Sequence, residues 1–347
     1  MNSCDIEIVP VTTEAQRREW DEFASRSPLA EMNQCLWWAE PLAPYGILTH
    51  VLGCWKGGQL VGGALLRSIP VPLLGMHMTE CVKGPIFLEW SPAWAVPFVR
   101  RVRELAREVS SLAVVIRGCP NQEVHRDLVQ AFQSARLRTT LTQGIFNGVI
   151  VLKDRSMEDL RRNFNHGVKQ RVKKGLTGPL RIAPVTSSAD LEMAYETWMA
   201  TIRRKGLAVL RPYSALEPVM RFCIDNGMGS VLAATLDNRM LASVFVTYMG
   251  GTATYVMGGY LDEAQPYHPT HALQYVAIQQ ALERAMDVYS FGPLSGPVAN
   301  GGVDHFKLAF GALPQEELAS ITWERSPWLY SSARWFISQK LGRRVRN

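Results

Sequence analysis

The sequence predicts an α/β protein of two successive lobes, each built on a mixed sheet, and three observations carry that reading. The chain has 347 residues, enough for two ordinary hydrophobic cores. Residues 6–13, IEIVPVTT, align without a gap against 180–187, LRIAPVTS, with Ile8/Ile182, Pro10/Pro184, Val11/Val185 and Thr12/Thr186 identical. A second pair follows in the same order, VLGCWKGGQLVGGALL (51–66) against VLAATLDNRMLASVFV (231–246). Two collinear matches with one element order point to an ancient duplication.

The first pair reads as short alternating strands whose Ser/Thr tails can cap a following helix. In those helices Trp20 and Phe23 answer Tyr195 and Trp198. The second pair reads as strand, tight turn, strand. Lys56-Gly57-Gly58 and Asp237-Asn238-Arg239 supply the residues tolerant of positive φ that a hairpin turn demands. Sheets flanked by helices follow, with lobes expected over 1–150 and 151–315. Between them one helix is expected, opened by a Ser156/Asp159 capping box and stopped at Gly175. Met157, Leu160, Phe164, Val168 and Val172 form its apolar stripe. Off the stripe stand Arg161, Arg162, Lys169, Arg171, Lys173 and Lys174. Such a run is either a solvated face or a phosphate-binding surface.

Composition excludes several classes. Apolar residues are 47% and charged residues 20%, the balance of a soluble globular chain. No stretch approaches the roughly 18–20 apolar residues of a bilayer span, and the N-terminus does not read as a secretory signal. Six dispersed cysteines (4, 35, 54, 81, 119, 223) form no CxxC pair, so reduced thiols and a cytoplasmic setting are expected. The formal charge is 37 − 31 = +6, which favours polyanionic partners. There is no Walker A loop, no GxGxxG after a strand, no GxSxG elbow and no HExxH. His268 and His271 make an HxxH, but Pro269 interrupts it and no third ligand stands nearby. No metal or cofactor is expected.

The repeated order of elements resembles the acyltransferase fold of the GNAT type, yet neither lobe carries its Q/R-x-x-G-x-G/A coenzyme A loop. An acyl donor of another kind is implied. More closely, the chain resembles the Fem family of aminoacyl-tRNA-dependent transferases over nearly its whole length. The residues that carry this are Gln34-Cys35-Leu36-Trp37-Trp38-Ala39 running to Gly46, and Lys83-Gly84-Pro85. They are followed by the basic helix, Tyr255 in TYVMGG, a helix from His271 to Met286, YSFGP (289–293) and GVDHFKLAFG (302–311). The resemblance implies two tandem GNAT-like domains without a coiled-coil arm, the first completed by residues 316–347.

It also implies a reaction. An amine attacks the ester carbonyl of an aminoacyl-tRNA, giving an amide and free tRNA without ATP. Phe306-Lys307 match the family's FK pair; Lys307 would face the oxyanion or the departing tRNA end, or else be a surface lysine beside a core phenylalanine. Asp304 or His305 could take the ammonium proton or be turn residues. Arg211 and Tyr213 resemble an acceptor-site pair, and Tyr255 the first of two strand tyrosines; Trp38 and Lys83 belong to the acceptor half. Two departures stand out: Leu42 occupies the position of a lysine that grips the acceptor's diphosphate, and Met257 replaces the second tyrosine. The acceptor is therefore expected to be a peptide-type amine from an antibiotic pathway. The alternatives are a muropeptide precursor, a peptidyl-nucleotide among them, and an acyl-CoA-dependent reaction. The C-terminal segment mixes Trp328, Leu329, Trp335, Phe336 and Leu341 with Arg334, Lys340, Arg343, Arg344 and Arg346. Packing on the first lobe is its ordinary reading, and weak association with an anionic membrane the other.

Overall fold

The computed structural model describes residues 6–72, 74–135, 138–206, 209, 211–299, 301–325 and 328–330. Contacts divide the chain into two units, one running to Ile145 and resuming at Glu317, the other Phe146–Glu316. The first contains β1 (Ile6–Pro10), α1 (Glu14–Arg26), α2 (Leu36–Ala39), β2 (Leu48–Lys56), β3 (Gln59–Val71), β4 (Met76–Val82) and β5 (Ile86–Phe87). It continues through α3 (Ala95–Glu108), β6 (Ser111–Arg117), α4 (Gln122–Ser134) and β7 (Thr139–Thr142). The second opens with β8 (Phe146–Val151), α5 (Met157–Asn163), α6 (His166–Thr177), β9 (Arg181–Val185), α7 (Ser188–Arg204) and α8 (Tyr213–Asp225). It ends with β10 (Gly229–Leu236), β11 (Arg239–Met249), β12 (Thr252–Tyr260), α9 (Pro269–Glu283), β13 (Val288–Leu294), α10 (Gly302–Ala309) and β14 (Leu313–Glu316). Strand β15 (Ser320–Glu324) inserts between β6 and β7 in the first sheet. The second unit starts a few residues ahead of the boundary expected at 150, because β8 pairs with β13 and β14.

The duplication is visible in the hydrogen bonding. The first sheet runs β1-β2-β3-β4-β6-β15-β7, with β5 on β3; the second runs β9-β10-β11-β12-β13-β8-β14. Each has one parallel pair reached through a crossover, β4 with β6 and β12 with β13. Ile8 sits opposite Cys54 and Pro10 opposite Leu52, while Ile182 sits opposite Ala234 and Pro184 opposite Leu232. The positions matched by sequence are thus in the same register in both copies. Even the irregularity is shared, falling after Cys54 in one hairpin and after Ala234 in the other. Both turns place two successive residues at positive φ, Gly57 and Gly58 in one, Asp237 and Asn238 in the other, as a primed hairpin turn requires.

In the first unit the apolar faces of α3 and α4 cover the sheet, with Phe98, Val102, Leu128 and Phe132 against Leu52, Cys54, Val114 and Ile116. One polar residue organises its other elements. Gln34, wholly buried, accepts from Leu65 N at 2.8 Å and donates to Val82 O at 2.7 Å, and its own carbonyl accepts from Trp20 Nε1 at 2.8 Å. The helix expected to end at Gly46 is the short α2 followed by a 3-10 stretch, Glu40–Tyr45, since Pro41 and Pro44 supply no N–H. Gly46 closes it in the left-handed region. The five described cysteines are buried.

The single helix expected over 156–175 is two. Ser156 and Asp159 form the capping box of α5 as the sequence suggests. Phe164 then leaves the helical region and packs edge-on against Phe310, with centroids 5.2 Å apart. Asn165 donates its N–H to Ala309 O at 2.9 Å, and its side chain caps α6 through Val168 N at 2.8 Å. Leu160, Phe164, Val168 and Val172 all enter the core of the second unit, so the segment belongs to that unit and is not a connector. Gly175 does not stop α6. A Cβ there would lie 2.8 Å from Ala272 Cβ and 3.2 Å from His268 O, so its missing side chain lets α6 approach α9. The helix expected from His271 to Met286 is α9, which starts and ends slightly earlier. No helix among the described residues is long and apolar enough to cross a membrane. Residues 331–347, with most of the basic C-terminal segment, lie outside the described residues; of its first part, Trp328 is exposed while Leu329 packs beside Val71 and Leu112.

The Gln34→Leu variant tests the polar anchor. It strands Leu65 N–H and Val82 C=O in the core at roughly 1–3 kcal/mol each. Urea unfolding is therefore expected to show the first unit destabilised by about 2–5 kcal/mol.

Candidate active site

The second unit holds a cavity of about 510 Å³, in the size range of small-ligand sites. Its walls come from α6 (Arg171), the end of α7 (Thr201, Lys205), β11 and β12 (Val244, Tyr255), the start of α9 (His271, Gln274) and α10 (Phe306, Lys307). Among the described residues no Asp or Glu lines it, and the polar side chains that converge on it include the cations Arg171, Lys205 and Lys307 and the Tyr255 phenol.

Helix α10 sets Lys307 in place. Phe310, one residue past its end, is 1% exposed and touches Phe164, His271, Phe291 and Phe306, with centroids 5.2–5.9 Å apart. That contact fixes the rotation of α10 and turns Phe306 and Lys307 to the cavity. Lys307 is 7% exposed and its Nζ donates to Pro293 O at 2.5 Å. Burial brings its ammonium down to about 8; Asp304 opposes the shift and Lys205 adds to it. Asp304, on the same helix, is buried, and its carboxylate accepts from Ser295 N at 3.2 Å. Neither Asp304 nor His305 lines the cavity, and His305 is exposed. Asp304 therefore supports the lysine charge and the 295 loop, because the turn of α10 that presents Lys307 points position 304 inward and position 305 outward.

Strand β12 carries an irregular register between Met257 and Tyr255, opposite Phe245 and Val246. Bulges of this kind re-aim side chains. Tyr255 is in the cavity wall, and a Cβ on Gly258 would fall 2.8 Å from its hydroxyl, so glycine makes the room it occupies. Burial pushes its phenol up to about 12, which keeps it protonated and able to donate. His271 packs against Phe306 at 5.0 Å between centroids. Its Nδ1 is buried without a partner among the described residues. Burial first, then the charges of Arg171 and His268, lower its pKa to about 4. His268 is in the left-handed region and starts α9, its ring 6.0 Å from that of His271. Among the described residues no group of three ligating side chains could hold a metal ion.

The remaining candidates fall elsewhere. Arg211 and Tyr213 sit at the start of α8, outside the cavity. Arg211 is buried and donates to Ala215 O at 3.2 Å, and Tyr213 donates to Ser188 O at 3.2 Å. Those contacts anchor the helix. Trp38 and Lys83 belong to the first unit, where Lys83 pairs with Glu317. Of the six basic residues on α5 and α6, Arg171 alone reaches the cavity. Arg161 pairs with Glu158 at 3.7 Å, Arg162 with Asp159 at 3.6 Å, and Lys169 donates to Arg162 O at 3.1 Å across the helix break. Lys173 and Lys174 are exposed and form no ion pair among the described residues. Sequence reasoning missed His271, Gln274 and Lys205 as site residues. The spacing of His271 and Gln274, three apart on one helix face, was the only available signal.

Comparison with known proteins agrees with this geometry. A model of the acetyltransferase (GNAT) domain matches residues 162–308, the span that builds the cavity. The chain is 21% identical over 333 residues to the UDP-N-acetylmuramoylpentapeptide-lysine N(6)-alanyltransferase of Weissella viridescens, covering 90% of this chain and 94% of that protein. The crystal structure of FemX superposes with a TM-score of 0.77 at 16% identity, covering 94% of this chain and 99% of that one. A tandem GNAT protein from the clavulanic acid biosynthesis pathway gives 0.57 at 12% identity, with 92% and 98% covered. Fold and cavity together define a transferase of the tandem GNAT class. Within that class the chain is an aminoacyltransferase similar to Fem-type proteins, without a coiled-coil arm among its described residues.

The state of His271 can be checked through stability. Between about pH 6.5 and pH 4 the unfolded chain binds a proton at this site that the folded chain does not, so stability falls as pH drops through the window. Thermal unfolding should show the wild type losing more stability than His271→Gln between about pH 7 and pH 5.

Proposed function

We propose that the protein transfers an aminoacyl group from aminoacyl-tRNA to a free amine of a peptidoglycan-precursor peptide. The observation that carries the chemistry is Lys307, a buried cation lining the same cavity as the Tyr255 phenol, with no carboxylate in that lining among the described residues. The acceptor amine, once deprotonated, attacks the ester carbonyl carbon. The carbonyl oxygen takes the displaced electron pair, and the tetrahedral adduct expels the ribose oxygen. A protonated Lys307 and a protonated Tyr255 are donors suited to those two oxygens. With its ammonium brought to about 8, Lys307 is charged at neutral pH yet able to release a proton to the leaving oxygen. An ester to ribose is already activated, so no nucleotide hydrolysis is required.

The likeness to an alanyltransferase named for a muropeptide lysine supports a peptidoglycan-precursor acceptor over the antibiotic intermediate expected from sequence. One feature narrows how that acceptor would be held. Leu42, at the position of the diphosphate-gripping lysine, is buried in the first unit. Arg67 pairs with Glu80 at 2.7 Å and Lys83 with Glu317, so both are already neutralised. Recognition is therefore proposed through the peptide, with the nucleotide diphosphate contributing little. For the donor, the exposed Lys173 and Lys174 together with Arg171 offer a surface for tRNA phosphates.

Two measurements test this. With labelled aminoacyl-tRNA and a lysine-containing muropeptide, label should appear in the peptide and be abolished by RNase; transfer from acyl-CoA alone would overturn the donor. Lys307→Met should lower kcat about 100-fold or more, and wild-type kcat/KM should fall as pH rises above about 8, where the lysine loses its charge. In a separate binding assay, replacing Lys173 and Lys174 by glutamate should weaken tRNA binding and reduce the slope of log K against log salt by about 1.5–2.

A further inference from the structure

The cavity contains a polar side chain that the protein itself leaves incomplete. Gln274 lies on α9, one turn beyond His271, and is 1% exposed. Its Oε1 accepts from the Tyr289 hydroxyl at 2.6 Å. Tyr289 is fully buried in the core, and burial raises its phenol well above the ordinary value. A phenol in that state is protonated and donates. This settles which way the amide faces. With Oε1 turned to Tyr289, Nε2 is the end of the amide left for the cavity that Gln274 lines. The flipped amide would set N–H against O–H and strand the phenol proton.

An amide with one end committed to the core presents its other end, a pair of N–H donors, to whatever enters the cavity. A group that meets those donors must accept hydrogen bonds. The other polar groups nearby make the same demand. The Tyr255 phenol, kept protonated by burial, is a donor, Lys307 is a cation, and no carboxylate among the described residues lines the wall.

We propose that Gln274, through Nε2, donates a hydrogen bond to the carbonyl oxygen of the transferred aminoacyl ester, and that Tyr289 is the positioning residue that orients the amide. The assignment rests on the aminoacyl-ester reading of this cavity. In the step itself the C–N bond forms and the C–O bond to ribose breaks. The displaced carbonyl pair resides on the oxygen facing Gln274 and returns when the ribose oxygen leaves with its proton. Gln274 neither gains nor loses a proton. It binds more strongly as negative charge develops, so its effect belongs to turnover and not to ground-state affinity.

The test compares the full-length wild type with Gln274→Met, Gln274→Glu and Tyr289→Phe, using aminoacyl-tRNA and a peptide amine. Gln274→Met, which keeps the side chain's shape, should lower kcat about 100-fold with KM for the tRNA changed less than about threefold. Gln274→Glu should be at least as impaired at alkaline pH and recover relative to wild type as pH falls, because a protonated carboxyl can donate again. Tyr289→Phe should lose less, about tenfold, again in kcat. A structural role for the pair would not produce the recovery at low pH. If the wild type transfers and both Gln274 variants stay within about threefold of its kcat, or raise only KM, the assignment is overturned while the proposed function stands. Absence of transfer by the wild type overturns both.

Discussion

The burial of Phe310 against Phe164, His271, Phe291 and Phe306 is the contact on which the second unit's site depends. Four separate stretches of chain meet there: the break between α5 and α6, the first turn of α9, strand β13, and α10. Aromatic side chains suit the task because they bury large areas with few rotatable bonds and pack in defined edge-to-face geometries. With the helix locked at this point, Lys307 is held at low exposure without an ion pair among the described residues. Its charge is kept by Asp304 nearby and by the Pro293 carbonyl.

The two units show how a duplicated framework can diverge. Register, hairpin turns and even the position of the strand irregularity are the same in both copies. These features are set by backbone hydrogen bonding, and a slip of one residue would turn every side chain to the wrong face. The side chains laid on that framework are free to differ. In the first unit Gln34 is wholly buried, and its amide is consumed by Leu65 and Val82. In the second unit Gln274 spends only one end of its amide on the protein. The contrast separates a glutamine that builds structure from one that faces a cavity.

Burial also explains why this cavity is electrostatically unusual. It lowers the pKa of Lys307 and His271 and raises that of Tyr255. Each shift moves the group towards its neutral form, the general consequence of removing water from around a charge. The result is a pocket lined by cations and hydrogen-bond donors, with no carboxylate among the described residues, suited to an oxygen that becomes negative only during reaction.

Much of this was legible in the amino-acid order alone. The repeat, the primed turns at Gly57-Gly58 and Asp237-Asn238 and the capping box at Ser156 rest on local or pairwise patterns that a chain displays in one dimension, while the 302–311 block stands out through its resemblance to the Fem family. What stayed hidden depended on contacts between distant segments. The apolar spacing of Met157 to Val172 is the same for one helix or two, and only Ala309 and Phe310, well over a hundred residues on, break it. Gly175 reads as a helix stop until α9 is seen to press against it. Asp304 and His305 look equally placed for proton transfer until the rotation of α10 buries one and exposes the other. Gln274 carries no local signature beyond its spacing from His271, because its meaning comes from Tyr289, whose buried phenol decides which end of the amide is left for the cavity.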